Sequence, residues 1–189
     1  MKNFSFSGFE NLPVAKADES KLRQAIKKIT VKKNSVVMPQ GEVCENIYFL
    51  CRGLVKLHYI TEDGKEFIKS FIDEGEMFGS LISVMSGGNS TFAATALEDL
   101  ELEVMKFSIF QEFVKNSPAF QQFTLIFFQQ LALKKEIREY ELLCLSAQQR
   151  YEKLCEQKPQ LVERIKQAEL ALYLGITPIA LSRMKNRIK

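Results

Sequence analysis

Hydrophobic positions repeat with different periods along the chain, and each change of period marks a change of element. From Ala17 to Ile29, the residues Leu22, Ala25, Ile26 and Ile29 fall on one helical face, which predicts a short amphipathic helix. From Val31 onward the apolar residues come in short runs: Val36-Val37-Met38, Ile47-Tyr48-Phe49-Leu50, Leu54 to Ile60, and Phe67 to Ile72. Turn residues separate them at Gln40-Gly41, Arg52-Gly53, Glu62-Asp63-Gly64 and Glu74-Gly75, and these glycines recur every eleven or twelve residues. That beat predicts short antiparallel strands in a sandwich or barrel. Thr91 to Ala96 and Leu100 to Phe107 continue it. In the second run Leu100, Leu102 and Val104 alternate with Glu101 and Glu103, as in a half-buried strand.

Helical periodicity returns near Ser108. Pro118 opens a segment without Gly or Pro before Cys144, in which Ala119, Phe123, Ile126, Gln130, Leu133, Ile137, Tyr140 and Cys144 stand alternately four and three apart. Such a heptad seam predicts a long helix paired with its own copy, with Gln130 as the polar position that sets register. A long helix packed only within its own chain is the alternative. Phe120, Phe127 and Phe128 lie off the seam, available to the β domain. Ser146-Ala147-Gln148-Gln149 is a capping box, so one helix ends and another begins there, at a hinge between domains. The next helix runs to about Gln157, before Lys158-Pro159, and Gln160 to Lys166 reads as a linking piece.

The stretch from Gln167 to Arg187 predicts two short helices joined at Gly175. Ala171, four residues before that glycine, supplies the small side chain that closely crossing helices need. Thr177 caps the second helix through its hydroxyl, and Pro178 follows where a missing N–H costs nothing. The pattern is that of a helix-turn-helix. On a helix starting at Thr177, the residues Ile179, Ser182, Arg183 and Asn186 share the outer face, while Leu181, Met184 and Ile188 face inward.

Composition adds limits. The chain has 189 residues, 46% hydrophobic and 26% charged, which suits one large or two small globular domains. A net charge of +3 says little, but residues 146–189 carry nine Lys/Arg against four Asp/Glu. Arg183, Lys185, Arg187 and Lys189 crowd the last seven positions, which fits phosphate contact. The N-terminus lacks the apolar region of a secretory signal, and no run approaches the ~18 apolar residues of a spanning helix. A cytoplasmic protein without membrane contact is expected. Cys44, Cys51, Cys144 and Cys155 show no C-x-x-C pairing and His58 is the single histidine, so neither a metal nor a cofactor is expected. The absence of a nucleotide-type glycine loop or a specific Ser/His/Asp set argues against an enzyme.

The order of these parts resembles the CRP/FNR family of bacterial transcription regulators. In the first domain the resemblance rests on ENIYFLCRGLVKLHYITEDGKEF and EGEMFGS, and at the C-terminal end on LSAQQRY and YLGITPIALSRMKNRI. The YLGIT form looks most like small regulators abundant in Bacteroidetes-type bacteria. The resemblance covers nearly the whole chain and implies an α+β architecture. Residues 1–117 would form a cyclic-nucleotide-binding-type antiparallel β-roll (double-stranded β-helix, or jelly-roll, type) with an N-terminal helix. Residues 118–145 would form a dimerisation helix, and 146–189 an all-α helix-turn-helix domain. It also implies a homodimer, with Phe123, Ile126, Gln130, Leu133, Ile137, Tyr140 and Cys144 along the seam.

The second helix of the C-terminal pair would then lie in a DNA major groove. Arg183 matches one of the family's base-reading arginines and could grip guanine O6 and N7. Thr177 and Ser182 are candidates for bases or phosphate, Ile179 for a thymine methyl, Asn186 shares the outer face, and Lys185, Arg187 and Lys189 are candidates for phosphate. Three departures from the family pattern predict weaker base discrimination. Pro178 and Ile179 replace a polar pair, Lys166 replaces the usual Ser/Thr cap, and the chain stops at Lys189 without a β-hairpin wing.

Family members that bind cyclic AMP carry F/I-G-E and, about ten residues later, R-S/T/A-A. Here Phe78-Gly79 is kept, Ser80 replaces the glutamate, and Ser90-Thr91 stand at the arginine's spacing. The run from Ser80 to Ala94 holds no charged residue, leaving only hydroxyls and backbone N–H groups for a buried anion. Lys135 and Glu136 stand where the cyclic-AMP binders have small hydroxyl residues. Cyclic AMP is therefore not the expected effector. Phe78, Gly79, Ser80, Leu81, Ser90 and Thr91 are lining candidates for an uncharged ligand, and a filled β-roll core is the other reading of the same residues. No cysteine precedes Cys44 to hold an iron–sulfur cluster, and His58 lies in a strand pattern, not as a haem ligand. The expected partners are double-stranded DNA and a second copy of the chain, with RNA polymerase and an unknown small-molecule effector as further candidates. The alternative is a β-roll sensor or scaffold whose C-terminal helices contact protein.

Overall fold

The predicted strands close into two facing antiparallel sheets in the structure, a computed structural model that describes residues 16–188. One sheet has the order β1 (Lys27–Val31), β8 (Leu100–Lys106), β3 (Asn46–Arg52), β6 (Met77–Phe78). The other has the order β2 (Val36–Met38), β7 (Ala93–Ala96), β4 (Val55–Ile60), β5 (Glu66–Ile72). Met38, Tyr48, Leu50, Val55, Leu57, Ile72 and Phe78 fill the space between them, as the alternation of apolar residues requires. The sharp entry into β4 depends on Gly53. Its φ is 102°, and a Cβ there would come within 2.6 Å of the Asp99 carbonyl oxygen.

Helix α1 (Lys16–Ala25) precedes the sheets, and α2 (Leu81–Ser86) lies between β6 and β7. Helices α3 (Phe107–Asn116) and α4 (Pro118–Cys144) pack back onto the first sheet, where Phe110, Phe113 and Phe120 meet Leu22, Ile47, Phe49 and Met105. The four remaining helices are α5 (Ala147–Gln157), α6 (Pro159–Arg164), α7 (Gln167–Leu174) and α8 (Pro178–Ile188).

Several expectations change. The helix over Ala17 to Ile29 ends at Ala25, and Lys27 to Val31 instead pairs with β8, Ile29 opposite Leu102. Ladder hydrogen bonds to a neighbouring strand outweigh a helical period that only four residues support. Phe107 starts α3 instead of ending a strand. Glu103 is 1% exposed, so β8 is not simply half-buried, and Lys28 lies 3.5 Å from its carboxylate. Gln160 to Lys166 is mostly helical, because Pro159 is well suited to a first helical position. The capping box at Ser146 forms as expected: Ser146 Oγ accepts from the Gln149 amide and Gln149 Oε1 from the Ser146 amide.

On α4, Ile126, Gln130, Leu133, Ile137, Tyr140 and Cys144 lie exposed along one line, while Phe123 is half-buried and stacks on Phe127. Phe120 is fully buried and Phe128 is exposed. The flank of α4 beside that line faces the chain's own body, with Lys134 donating to Glu76.

Candidate nucleic-acid interface

Local chemistry builds the C-terminal helix pair. Gly175 ends α7 with φ at 69°, a left-handed conformation that lets its N–H reach the carbonyls of Ala171 and Leu172. Thr177 Oγ1 accepts a hydrogen bond from the Ala180 amide at 3.2 Å, capping α8. Ala171, Leu170, Leu174 and Leu181 are buried where the two helices cross. Lys166 makes no side-chain cap for α7, as its departure from Ser/Thr implies.

The outward face of α8 agrees with the helical pattern. Ile179 is 66% exposed, and Ser182, Arg183 and Asn186 are also exposed. Leu181 is buried and Met184 half-buried. Lys185 is turned toward the body, its Nζ 5.7 Å from the Tyr151 ring centroid. The side chains of Arg187 and Ile188, and all of Lys189, lie outside the described residues. The face that reaches solvent is therefore short, mixed apolar and polar, with one described arginine at its centre.

Two arginines that the seam pattern did not single out hold the C-terminal end of α7. Arg138 of α4 donates from Nη2 to the Tyr173 carbonyl at 2.6 Å and stacks 3.8 Å over the Tyr173 ring. Arg150 of α5 donates to the Leu174 carbonyl at 2.7 Å and to the carbonyls of Leu145 and Glu141 at the end of α4. Cations at a helix C-terminus satisfy its unpaired carbonyls and favour its dipole.

The helix-turn-helix also rests on the second sheet. Leu54, Ile68 and Phe71 of the β-roll share one apolar cluster with Leu161, Ile165, Leu170, Ala171, Leu174 and Leu181. Lys56 on β4 is only 8% exposed, and its ammonium donates to Glu66 of β5 and, at 3.0 Å, to Glu169 of α7. Burial opposes its charge, but the two carboxylates outweigh that and raise its pKa. His58 beside it donates or accepts at Thr95 Oγ1, 2.9 Å away, and burial lowers its pKa despite Glu66. Arg164 of α6 spans Asp73, Glu74 and Glu98 at 2.7–3.0 Å. Hydrogen bonds from Arg164 pull Glu74 down to about 2, while burial pushes Asp73 up. One signal for Lys56 was visible in the sequence: a charge in the middle of the apolar run from Leu54 to Leu57 needs an acid to cover it.

The candidate ligand residues are divided between the core and the surface. Phe78 stacks on Tyr48 at 5.0 Å within the core. Ser80 is buried and its Oγ caps α2 by accepting from Ser83, and buried Ser90 donates to the Phe92 carbonyl. Leu81 and Thr91 are exposed, and Gly79 sits against the Asn46 carbonyl. Surface clefts of about 270 and 490 Å³ open elsewhere, beside Val37 to Tyr48 and beside Thr30, Arg52 and Glu98. A cation does reach this neighbourhood from outside the uncharged run. Lys69 of β5 places Nζ 3.4 Å from the centroid of Phe92, and burial, with repulsion from Lys135, pushes it down to about 8. Among the described residues no group of His, Cys, Asp and Glu could hold a metal ion, and no helix is long and apolar enough to cross a membrane.

A β-roll of this form, followed by a long helix and a capped helix-turn-helix, defines a class of fold. Comparison with known proteins makes the class specific. Residues 28–117 match the cyclic nucleotide-binding domain. The global nitrogen regulator of a Nostoc species is 29% identical over 91 residues, 47% of this chain and 40% of that protein. The cAMP-activated global transcriptional regulator CRP of Salmonella typhimurium is 26% identical over 84 residues, 44% of this chain and again 40% of that protein. The matched segment thus spans less than half the length of these curated relatives. The structure of FixK2 from Bradyrhizobium japonicum superposes with a TM-score of 0.76 at 18% identity, covering 86% of this chain and 84% of that one. Residues 28–117 thus carry a cyclic nucleotide-binding domain, and the chain has the fold of CRP/FNR-family regulators.

Proposed function

We propose that the protein is a DNA-binding transcription regulator that works as a homodimer through α4 and reads an inverted repeat with half-sites about one helical turn apart. The observation that carries this reading is the outward face of α8. Ile179, Ser182, Arg183 and Asn186 stand free on a helix whose cap and inner face are both satisfied. Buried reading residues would have favoured a scaffold whose helices contact protein. The exposed line of Ile126, Leu133, Ile137 and Tyr140 on α4 supports pairing with a second copy, since one copy leaves it in water.

Cyclic AMP is not the effector in this reading, because Ser80 and Ser90 spend their hydroxyls on the fold and offer no charge to a phosphate. The test is selection of duplexes from a random DNA pool at moderate salt by the purified chain. A selected inverted repeat supports the reading, and recovery of unrelated sequences rejects it. Arg183→Ala should remove the sequence preference, at about 1–3 kcal/mol for the guanine contact. Most of the salt-dependent affinity should remain, because phosphate attraction supplies it. An equal loss on all sequences would make Arg183 a phosphate contact instead.

A further inference from the structure

Strands β4 and β5 have different surroundings on their two faces. The register between them slips between Leu57 and His58, where Leu57 pairs with Ser70 and His58 with Ile68, leaving Lys69 as the extra residue. A bulge of this kind re-aims side chains. Here Glu66, Ile68 and Phe71 all reach the outer face with Lys56 and His58, and meet α7 or the residues that hold it. Leu57 and Ile72 go to the inner core, and Lys69 goes to Phe92 on the side of the family's ligand-binding segment.

The outer contact is costly to open. Separating α6 and α7 from the sheet would expose Leu54, Ile68, Phe71, Leu161, Ile165 and Leu170 to water. It would also leave Lys56 without Glu169, and Asp73, Glu74 and Glu98 without Arg164. Unpaired charges at a partly desolvated site are unfavourable, so the ionic contacts fix the orientation that the apolar contact allows. At the other end, Arg150 ties the junction of α4 and α5 to the end of α7, so that junction is itself pinned.

We propose that Lys56 and Arg164 are positioning residues for the DNA reader: Lys56 on the outer face of β4, and Arg164 at the β5–β6 and β7–β8 loops, fasten α6 and α7 to the β-roll, so that α8 rides on the sensor domain instead of swinging from the α4–α5 junction. The docked position leaves Ile179, Ser182, Arg183 and Asn186 in solvent, so the fastening orients the reading face and does not mask it. Held this way in a dimer, two readers have a set separation, which raises affinity for two half-sites without adding a contact to either. This rests on the DNA-reading proposal above only for its effect on binding; the fastening itself is independent of DNA.

The experiment compares the full chain with Arg164→Ala and with Lys56→Glu, the latter alone and combined with Glu169→Lys. Amide hydrogen exchange is read first, without DNA. Arg164→Ala should speed exchange in α6, α7 and β5 about tenfold or more while β3 and β8 keep their protection, a pattern of local opening in a folded chain. Lys56→Glu should do the same at α7 and β5, and Glu169→Lys should restore protection by re-forming the pair with reversed charge. If Arg164→Ala does not fold, shown by loss of protection in β3 and β8, Arg164→Gln takes its place. Affinity is then measured for a selected duplex carrying two half-sites and for one carrying a single half-site. The fastened reader predicts about a tenfold loss on the double site and less than twofold on the single site for Arg164→Ala. Unchanged exchange in α6 and α7 overturns the fastening, and so does failure of the reversed pair to restore protection. Faster exchange with unchanged double-site affinity overturns the positioning role. If the parent chain selects no DNA, the functional reading falls, and the exchange comparison still decides whether the helices are fastened.

Discussion

Arg164→Ala also makes a thermodynamic prediction that can be worked from the structure. The guanidinium satisfies three carboxylates from two loops of the β-roll, and its removal leaves Asp73, Glu74 and Glu98 facing one another. Glu74 is the best measure of the interaction, because hydrogen bonds from Arg164, with smaller ones from Asp73 and the Glu74 and Gly53 backbone, bring it from 4.5 down to about 2. Full linkage would convert that shift to about 3.4 kcal/mol. The Glu74 side chain is 34% exposed and part of its shift comes from hydrogen bonds that the variant keeps, so the Arg164 share falls to about 1–2 kcal/mol. Repulsion among the three carboxylates adds to it, and a loss of about 2 kcal/mol at pH 7 is expected.

The pH dependence has a definite sign. A carboxyl held below its unfolded value contributes fully above about pH 4.5, and that contribution is lost as pH falls toward about 2. Asp73 has the opposite sign, since burial raises it and acid relieves the cost. Urea unfolding followed by circular dichroism should therefore show the gap between parent and variant narrowing as pH falls. A gap that stays constant from pH 7 to 3.5, or one below about 0.5 kcal/mol at pH 7, refutes the argument.

Other substitutions test other parts of the molecule. Leu174→Ala empties a fully buried position shared by α7, α8 and β5, and should cost roughly 2–5 kcal/mol in denaturant unfolding. Gly53→Ala should cost at least about 2 kcal/mol, from left-handed backbone strain and a clash with the Asp99 carbonyl, read as a lower melting temperature. Leu133→Glu, at a position 57% exposed in one copy, should convert a dimer to a monomer in sedimentation equilibrium with the monomer fold intact. A dimer that persists would move the pairing surface away from the α4 line.

Much of the fold was legible because its signals are local. The glycines at 41, 53, 64 and 75 mark turns whose backbone needs positive φ, and each takes it. Gly175 and Thr177 shape the turn and cap of the helix pair with atoms only a few residues away. The α4 period separates an exposed apolar line from the flank holding Phe120 and Lys134. Where several elements compete, local pattern was less informative. Ile29 fits a helical face, yet pairing with Leu102 draws it into a strand. Glu103 fits an alternating outer position, yet it is buried near Lys28. The uncharged run from Ser80 to Ala94 excluded a phosphate partner within itself, but could not reveal that Lys69 arrives from β5.

By itself, then, the sequence determined a β-roll, a long helix with an unpaired apolar line, and a capped helix-turn-helix with Arg183 on its outer face. Each of these depends on periodicity or on hydrogen bonds between near neighbours. Only the tertiary structure decided that the helix-turn-helix packs on β4 and β5, and that Ser80 and Ser90 hydrogen-bond to their own backbone neighbourhood. Lys56 and Glu169 are 113 residues apart, and Arg164 is 91 from Asp73. Such pairs form because charges leaving water together must find one another, and neither partner's neighbours in sequence carry a mark of the other.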